Sequence, residues 1–237
     1  MKKKIKFNSD EYLLLKNGKI LDVISGKSNN KDILIHDGKI VNSGKIKTKD
    51  NYHVIDCKNN VITQAFIDIN THFRSPGIGD QETFLSGSDA ALSGGYSKVC
   101  IMPDTDPILD NPELINFIFN QSSSASIDIY PIGSITKNLE GTEISELGLM
   151  VKAGILAISD AGFPIMNGQV MRYALEYAKM FDIPVINHPQ DINLVNNGVM
   201  NESCVSNSLG LIGNPTIAES VMISRDLKIA NYVAGKI

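Results

Sequence analysis

The chain has 237 residues, a formal net charge of −4 and 43% hydrophobic residues, which suits one large domain or a large domain with a small appendage. Lys2-Lys3-Lys4 is the most concentrated basic block, so we predict no nucleic-acid partner. No stretch approaches the ~20 apolar residues of a membrane span, so we predict no membrane association. Cys57, Cys100 and Cys204 form no C-x-x-C pair, which indicates free thiols in a reducing cytoplasm rather than a cysteine zinc site.

Residues 11–62 have the pattern of short strands separated by turns. Asn17-Gly18 and Asp37-Gly38 each lie between two apolar runs, and dipeptides of this type are strong signals for a β-hairpin. We therefore predict a small antiparallel β-module over residues 1–63.

From residue 64 onward, apolar runs alternate with helical stretches, which predicts an α/β fold with parallel neighbouring strands. Five strand–helix units fit within residues 64–237, whereas a closed barrel needs eight units and about 250 residues. Two architectures stay open, an open five-stranded sheet or an incomplete barrel that is the front part of a longer protein, and we favour the second. The predicted strands are Phe66–Ile69, Lys98–Met102, Ile127–Gly133, Ile155–Ile158 and Pro184–Asn187; the predicted helices cover about 81–92, 143–153, 170–180 and 216–234, with a further one opening at Asp110-Asn111-Pro112.

Polar side chains follow several of these strands, at the ends where parallel strands place active-site groups. His72 and Arg74 follow the first strand, Asp104 the second, Asp160 the fourth and His188 the fifth. Histidine and carboxylate ligands around an open position suit Zn²⁺ or a similar ion that activates water. Arg74 is suited to hold a substrate carboxylate by a bidentate contact. The pattern predicts a metal-assisted hydrolase of a small anionic substrate.

The motifs that carry these residues resemble those of bacterial dihydroorotases, within the amidohydrolase superfamily, in order and spacing. The resemblance implies a distorted (β/α) barrel through its fifth strand, with the N-terminal module as half of a small β-sandwich. It also implies zinc-dependent interconversion of N-carbamoyl-L-aspartate and dihydroorotate in pyrimidine biosynthesis. The matching segments are Phe66–Gly77, Met102–Pro107, Ser159–Gly162, Asn187–Asp191, Met200–Glu202, Leu209–Leu211 and parts of 218–226.

Carried over residue by residue, the resemblance implies a reduced metal site. His72 matches the second histidine of the family's His-x-His ligand pair, and His188 matches the ligand of the fifth strand. Asp160 matches the first aspartate of an Asp-Asp-Gly motif and is a further candidate ligand. Two ligand positions are vacated, because Asn70 stands for the first histidine and Ala161 for the metal-bridging aspartate.

The resemblance also implies the substrate-binding residues. Arg74 matches the arginine that grips the substrate carboxylate, and Asp104 stands where the family has an assisting asparagine. An ionised Asp104 would repel an anionic substrate. The family's general acid/base, an aspartate of the eighth strand, lies beyond Ile237, so we predict no catalytic residue within these 237 positions.

Two functions therefore stay open. The first is a cytoplasmic dihydroorotase-like enzyme with weak or no activity, which binds carbamoyl aspartate or dihydroorotate. The second is a non-catalytic dihydroorotase-like subunit that binds aspartate transcarbamoylase, or a gene fragment. Self-association as a homo-oligomer is a further expectation, because an incomplete barrel exposes an apolar strand edge.

Overall fold

The computed structural model describes residues 11–77, 82–195 and 197–237. It divides the chain into two units, Met1–Ala65 and Phe66–Ile237. The boundary that we place after residue 63 from the sequence lies close to this division. Within the described ranges, no helix combines the length and the apolar character that crossing a membrane requires.

The first unit is built from short strands. They form a four-stranded sheet and a three-stranded sheet, and the larger sheet contains both antiparallel and parallel pairs. The unit is therefore mixed, which corrects the purely antiparallel prediction. The strands are β1 (Tyr12–Lys16), β2 (Lys19–Leu21), β3 (Ser28–Asn30), β4 (Asp32–His36), β5 (Lys39–Gly44), β6 (Tyr52–Asp56) and β7 (Val61–Ile62), in the orders β5-β4-β1-β6 and β3-β2-β7.

One of the two predicted hairpins is present and the other is wrong. Strands β4 and β5 pair antiparallel across Asp37-Gly38, as predicted. Strands β1 and β2, on either side of Asn17-Gly18, lie in different sheets. The Asn17 side chain donates a hydrogen bond to Asp56 (2.9 Å), and its backbone N–H donates to Asp32 (3.1 Å). These bonds hold the dipeptide as a corner between sheets.

The second unit alternates strands with helices, and its α/β character confirms the sequence prediction. The first three strands pair in parallel, the fourth and fifth pair in parallel, and a parallel bridge between Gly133 and Ile158 joins the two groups. Five strands therefore lie side by side in chain order. The elements are β8 (Phe66–Thr71), α1 (Phe84–Ser93), β9 (Tyr96–Ile101), α2 (Pro112–Gln121), β10 (Asp128–Pro131), α3 (Leu147–Ala153), β11 (Ile158–Ser159), α4 (Gly168–Met180), β12 (Val185–Ile186), β13 (Met200–Asn201), α5 (Cys204–Leu209), β14 (Gly213–Asn214) and α6 (Ile217–Val233).

Helix α2 begins where its sequence predicts. Asn111 is the N-cap, and its side-chain oxygen accepts a hydrogen bond from the backbone N–H of Leu114 (3.1 Å). Pro112 occupies the first helical position, where its missing N–H costs no hydrogen bond. Local chemistry is sufficient to define this boundary.

Two other predicted segments are corrected. The helix predicted from Glu143 begins only at Leu147, because Ile144 forms an antiparallel bridge with Thr136 and keeps the intervening chain extended. The connection predicted over 189–214 contains strands β13 and β14 and helix α5. Both differences arise from pairing between distant residues, which helical periodicity does not report.

The core of the second unit lies between the sheet and the helices. Ile101 of β9, Ile115 and Ile118 of α2 and Met171 of α4 are all completely buried. Burying an aliphatic side chain of this size stabilises the fold by about 1.5–3 kcal/mol. This packing holds the strand ends that carry the candidate site.

The other side of the strands is open. Ile67 and Ile69 of β8 are 57% and 61% exposed, and Leu156 before β11 is 49% exposed. Together with Tyr130 and Leu227 they line a concave cavity of about 830 Å³ within the second unit. We call these five residues the open apolar face.

Candidate active site at the strand ends

The chain leaves β8 with its polar side chains at the surface and one aromatic ring in the core. Phe73 is buried and stacks on Phe84, with ring centroids 6.2 Å apart. The flanking side chains His72 and Arg74 are exposed. Thr71 at the end of β8 is tied to the next strand, since its hydroxyl donates to the Cys100 carbonyl (2.7 Å). Because the Phe73 side chain is buried, its neighbours His72 and Arg74 are both exposed to solvent at the end of β8.

His72 and Asp104 are in direct contact. The His72 Nδ1 atom lies 2.7 Å and 2.9 Å from the two carboxylate oxygens of Asp104. The His72 side chain is 43% exposed and that of Asp104 is 28% exposed, so solvent reaches both. The structure thus brings together two of the predicted site residues, from the ends of the first and second strands.

The loop that carries Asp104 is held by its own hydrogen bonds. The Thr105 hydroxyl donates to the Pro107 carbonyl (2.7 Å), and the Leu109 N–H donates to the Pro103 carbonyl (3.1 Å). These bonds fix the backbone on both sides of Asp104. The Asp104 carboxylate therefore contacts His72 from a loop whose backbone is held by hydrogen bonds.

Asp160 is a buried carboxylate with both oxygens engaged. One oxygen accepts from the backbone N–H groups of Ile135 (2.8 Å) and Thr136 (2.9 Å), and the other accepts from the Thr136 hydroxyl. Burial raises the pKa of Asp160, and the three hydrogen bonds act in the opposite direction. In this arrangement Asp160 ties the end of the fourth strand to the segment that follows the third.

Ala161 occupies an apolar environment. It is 6% exposed and packs in a small buried cluster that includes Met102 and Ile132. Its backbone adopts a φ of +51°, and its N–H donates to the Ser159 hydroxyl (3.0 Å). The methyl group offers no donor atom to a ligand at this strand end.

His188 shares no hydrogen bond with the other predicted site residues in the part of the chain that the structure describes. It is exposed at the end of β12, and within the described ranges no hydrogen bond or ion pair joins it to His72, Asp104 or Asp160. The preceding residue, Asn187, donates its side-chain N–H to Asp226 of α6 (2.7 Å).

Helix α6 contributes a charged pair whose role the sequence does not indicate. Burial raises the pKa of Asp226, and Arg225 beside it acts to lower it. The Arg225 guanidinium also donates to the carbonyls of Ile165 (2.7 Å) and Met166 (2.8 Å), in the loop after the fourth strand. The pair therefore connects the loops of the fourth and fifth strands. In the sequence the pair stands in one of the segments that match the family, but it has the form of a charged doublet in a helix, which is far more often solvent-exposed.

The donor set supports a zinc site only in part. Histidine ligands of zinc commonly donate their second ring nitrogen to a carboxylate, and His72 with Asp104 has this arrangement. Asn70 and Ala161 do not supply the missing ligands, and the oxygens of Asp160 are occupied. In the part of the chain that the structure describes, no three His, Cys, Asp or Glu residues are grouped to hold a metal. These residues do not fit a bridged pair of zinc ions.

Sequence comparison shows one family throughout. The profile of the family described as Dihydro-orotase-like matches residues 59–236. A dihydroorotase of Pelotomaculum thermopropionicum is 40% identical over 225 residues, which cover 95% of this chain and 53% of that protein. A dihydroorotase of Ruminiclostridium cellulolyticum is 41% identical over 226 residues, with the same coverage. The chain spans about half the length of the curated relatives it matches.

Comparison with solved structures shows the same fold class. An L-hydantoinase from Arthrobacter aurescens superposes with a TM-score of 0.74 at 16% identity, over 93% of this chain and 51% of that protein. A D-hydantoinase from Thermus sp. gives a TM-score of 0.68 at 20% identity, over 94% and 50%. At such low identity the similarity concerns the fold alone, an α/β fold that this chain shares with about half of each of these hydantoinases.

Proposed function

The chain belongs to the dihydroorotase-like family, and on this premise we propose that it provides the first five strands of a cyclic amidohydrolase barrel. Residues 64–237 would form this part of the barrel, and residues 1–63 half of a composite β-sandwich. The reaction would be the interconversion of N-carbamoyl-L-aspartate and dihydroorotate, for pyrimidine biosynthesis in the cytoplasm. The observation that carries the proposal is the family match over 59–236, which includes the strand ends with His72, Arg74 and His188.

Arg74 would bind the substrate carboxylate. Its side chain is exposed two positions after His72, and its backbone N–H donates to Glu82 (3.3 Å). A guanidinium matches a carboxylate with two parallel hydrogen bonds, which gives orientation as well as affinity. Asp104 would line the same binding site. Its carboxylate faces His72, so its charge is directed at the imidazole.

Zinc is the cofactor that the family implies. His72 and His188 are the candidate ligands that remain in this chain, because the oxygens of Asp160 are already engaged by residues 135 and 136. When bound in such an enzyme, the ion polarises the amide carbonyl and supplies hydroxide. Since Asn70 and Ala161 supply no ligand, the two histidines would hold at most one ion weakly, with water completing its shell. We therefore expect these 237 residues alone to bind substrate better than they turn it over.

Substrate recognition can be tested with two ligands that differ in one group. Dihydroorotate carries a carboxylate and 5,6-dihydrouracil does not. We expect calorimetric titration to show tighter binding of dihydroorotate, and Arg74→Gln to weaken it by about 10- to 100-fold, since a charge-assisted contact is lost. Arg172→Gln is the control, because Arg172 lies on α4 and pairs with Glu176. Equal binding of both ligands by the unaltered chain would refute the proposal.

Activity is the second measurement. Cyclisation of carbamoyl aspartate is assayed with added zinc, and the metal content is measured on the same sample. We expect no measurable turnover, because the ligand positions at Asn70 and Ala161 are vacated. Turnover at the rate of a full-length relative, with about two zinc ions per chain, would contradict this expectation.

A second candidate function is a non-catalytic subunit that binds aspartate transcarbamoylase. The vacated positions Asn70 and Ala161 favour it, and the open apolar face offers a surface for a partner. The test is co-elution with purified aspartate transcarbamoylase, with and without the variant Ile69→Glu. Co-elution that Ile69→Glu abolishes supports the subunit. Independent elution together with dihydroorotate binding supports the enzyme instead.

A further inference from the structure

The contact between His72 and Asp104 has a chemical consequence for the imidazole. A neutral histidine carries one proton, on either Nδ1 or Nε2, and the partner of one nitrogen selects the tautomer. Here both carboxylate oxygens lie within 2.9 Å of Nδ1. A carboxylate can only accept at that position, so Nδ1 carries a proton, and in the neutral ring Nε2 then keeps its lone pair.

We propose that Asp104 is a positioning residue, which selects the tautomer protonated at Nδ1 whenever His72 is neutral and so makes Nε2 the reactive nitrogen of this site. The inference rests on the proposed function in one respect only, namely that Nε2 of His72 then meets a metal ion or a substrate proton. The assignment of the tautomer itself depends on the geometry of this one pair.

Both partners are held by independent anchors. His72 is followed by buried Phe73 and preceded by Thr71, whose hydroxyl bonds to β9. Asp104 lies in a loop closed by the bond from Leu109 to Pro103. Because the backbone of each partner is fixed independently of the other, only the two side chains have to rotate for the pair to form.

The same pairing accounts for an acidic residue beside an anion-binding arginine. An unpaired carboxylate at position 104 would repel a substrate carboxylate held by Arg74. Within the described ranges no ion pair joins Asp104 to Arg74, and the contacts of Asp104 are with His72. The negative charge of Asp104 is therefore directed at the imidazole of His72.

The tautomer can be measured directly, without substrate or metal. Long-range ¹H–¹⁵N NMR spectra at about pH 8.5 distinguish protonated from unprotonated ring nitrogens, and the chain has only four histidines to assign. We expect His72 to be protonated mainly at Nδ1. In Asp104→Leu the ratio of the two tautomers should move towards Nε2 by about tenfold or more, since a hydrogen bond to a charged group is lost.

Two further variants separate positioning from a general effect on the fold. In Asp104→Asn the amide oxygen still accepts a hydrogen bond, so the ratio of the two tautomers should lie between that of the unaltered chain and that of Asp104→Leu. Asp106→Asn, two positions along the same loop, should leave the His72 spectrum unchanged. Predominant Nε2 protonation in the unaltered chain would overturn the proposal, and this result needs no variant to fold. Dihydroorotate titration of the same samples reports on the proposed function separately.

Discussion

Asp160 is the residue at which family position and physical environment differ most. The sequence predicts it as a metal ligand, yet its oxygens accept three hydrogen bonds from residues 135 and 136. Buried backbone N–H groups are costly to leave unpaired. The carboxylate therefore contributes to stability by satisfying the segment after β10.

Replacement of Asp160 should reveal this structural role. Asp160→Ala leaves the N–H of Thr136 without an acceptor and leaves that of Ile135 with only the Ser159 carbonyl (3.3 Å). We expect it to lower the free energy of unfolding by about 2 kcal/mol. Asp160→Asn keeps one acceptor oxygen and can donate to the Thr136 hydroxyl, so it should cost much less. Urea denaturation measures both. Equal losses for the two variants would contradict the hydrogen-bonding role.

The raised pKa of Asp160 also predicts a pH dependence. Burial raises it above the ordinary value of 3.8, so the folded state binds the proton more tightly than the unfolded state. This contribution is fully present below pH 3.8 and is lost as pH rises through the folded-state pKa. Asp226 is shifted in the same direction by burial. Between about pH 4 and pH 7 the unfolding free energy of Asp160→Asn should therefore fall less than that of the unaltered chain; parallel curves would disprove the linkage.

At the scale of elements, helix α6 connects two loops of the candidate site. Arg225 bonds to the loop after β11, and Asp226 bonds to Asn187 at the end of β12. Removing one partner of a buried ion pair leaves the other charge unpaired, which lowers the free energy of unfolding by about 3–5 kcal/mol. We expect the lower end of that range for Arg225→Gln, because the Arg225 side chain is 25% exposed.

A double-mutant cycle separates two contributions to this loss of stability, the unpaired charge of Asp226 and the lost hydrogen bonds from Arg225 to the carbonyls. Adding Asp226→Asn to Arg225→Gln removes the unpaired carboxylate, so the double variant should recover about 1 kcal/mol or more over Arg225→Gln alone. Arg172→Gln, which breaks an exposed pair with Glu176 on α4, should cost less than about 0.5 kcal/mol. Additive losses in the cycle would show that the two side chains act independently.

The sequence predicts the elements of the second unit better than those of the first. Five strands and the cap of α2 at Asn111 follow from hydrophobic runs and local capping chemistry. The corner at Asn17-Gly18 does not, because its geometry is set by Asp32 and Asp56, far along the chain. Turn preferences are local, whereas sheet membership depends on distant pairing.

Part of the candidate site can likewise be predicted from the sequence, and part of it cannot. Strand-end position is sufficient to predict that His72 and Arg74 are presented together, because the strand and buried Phe73 determine it locally. The contact of His72 with Asp104 and the engagement of Asp160 depend on loops that meet only in the folded chain. Periodicity carries no information about which polar groups satisfy each other across such loops.

At the scale of the whole molecule, the open apolar face is the most consequential surface of the second unit. Contiguous exposed apolar patches on soluble proteins commonly mark interaction sites. The face is formed by side chains of β8 and β10, of the segment before β11 and of helix α6, and the chain covers about half of the relatives reported above. Whatever covers this face in the cell, the isolated chain presents it to solvent.

We therefore expect the isolated chain to self-associate in a concentration-dependent way. Ile69→Glu places a charge at the centre of the open apolar face and should shift the chain towards a monomer, as measured by sedimentation velocity at several concentrations. Tyr232→Glu is the matched control, since Tyr232 is 78% exposed on α6 but does not line the cavity. It should leave the association unchanged. A monodisperse monomer of the unaltered chain at every concentration would show that exposure of this face alone does not drive assembly.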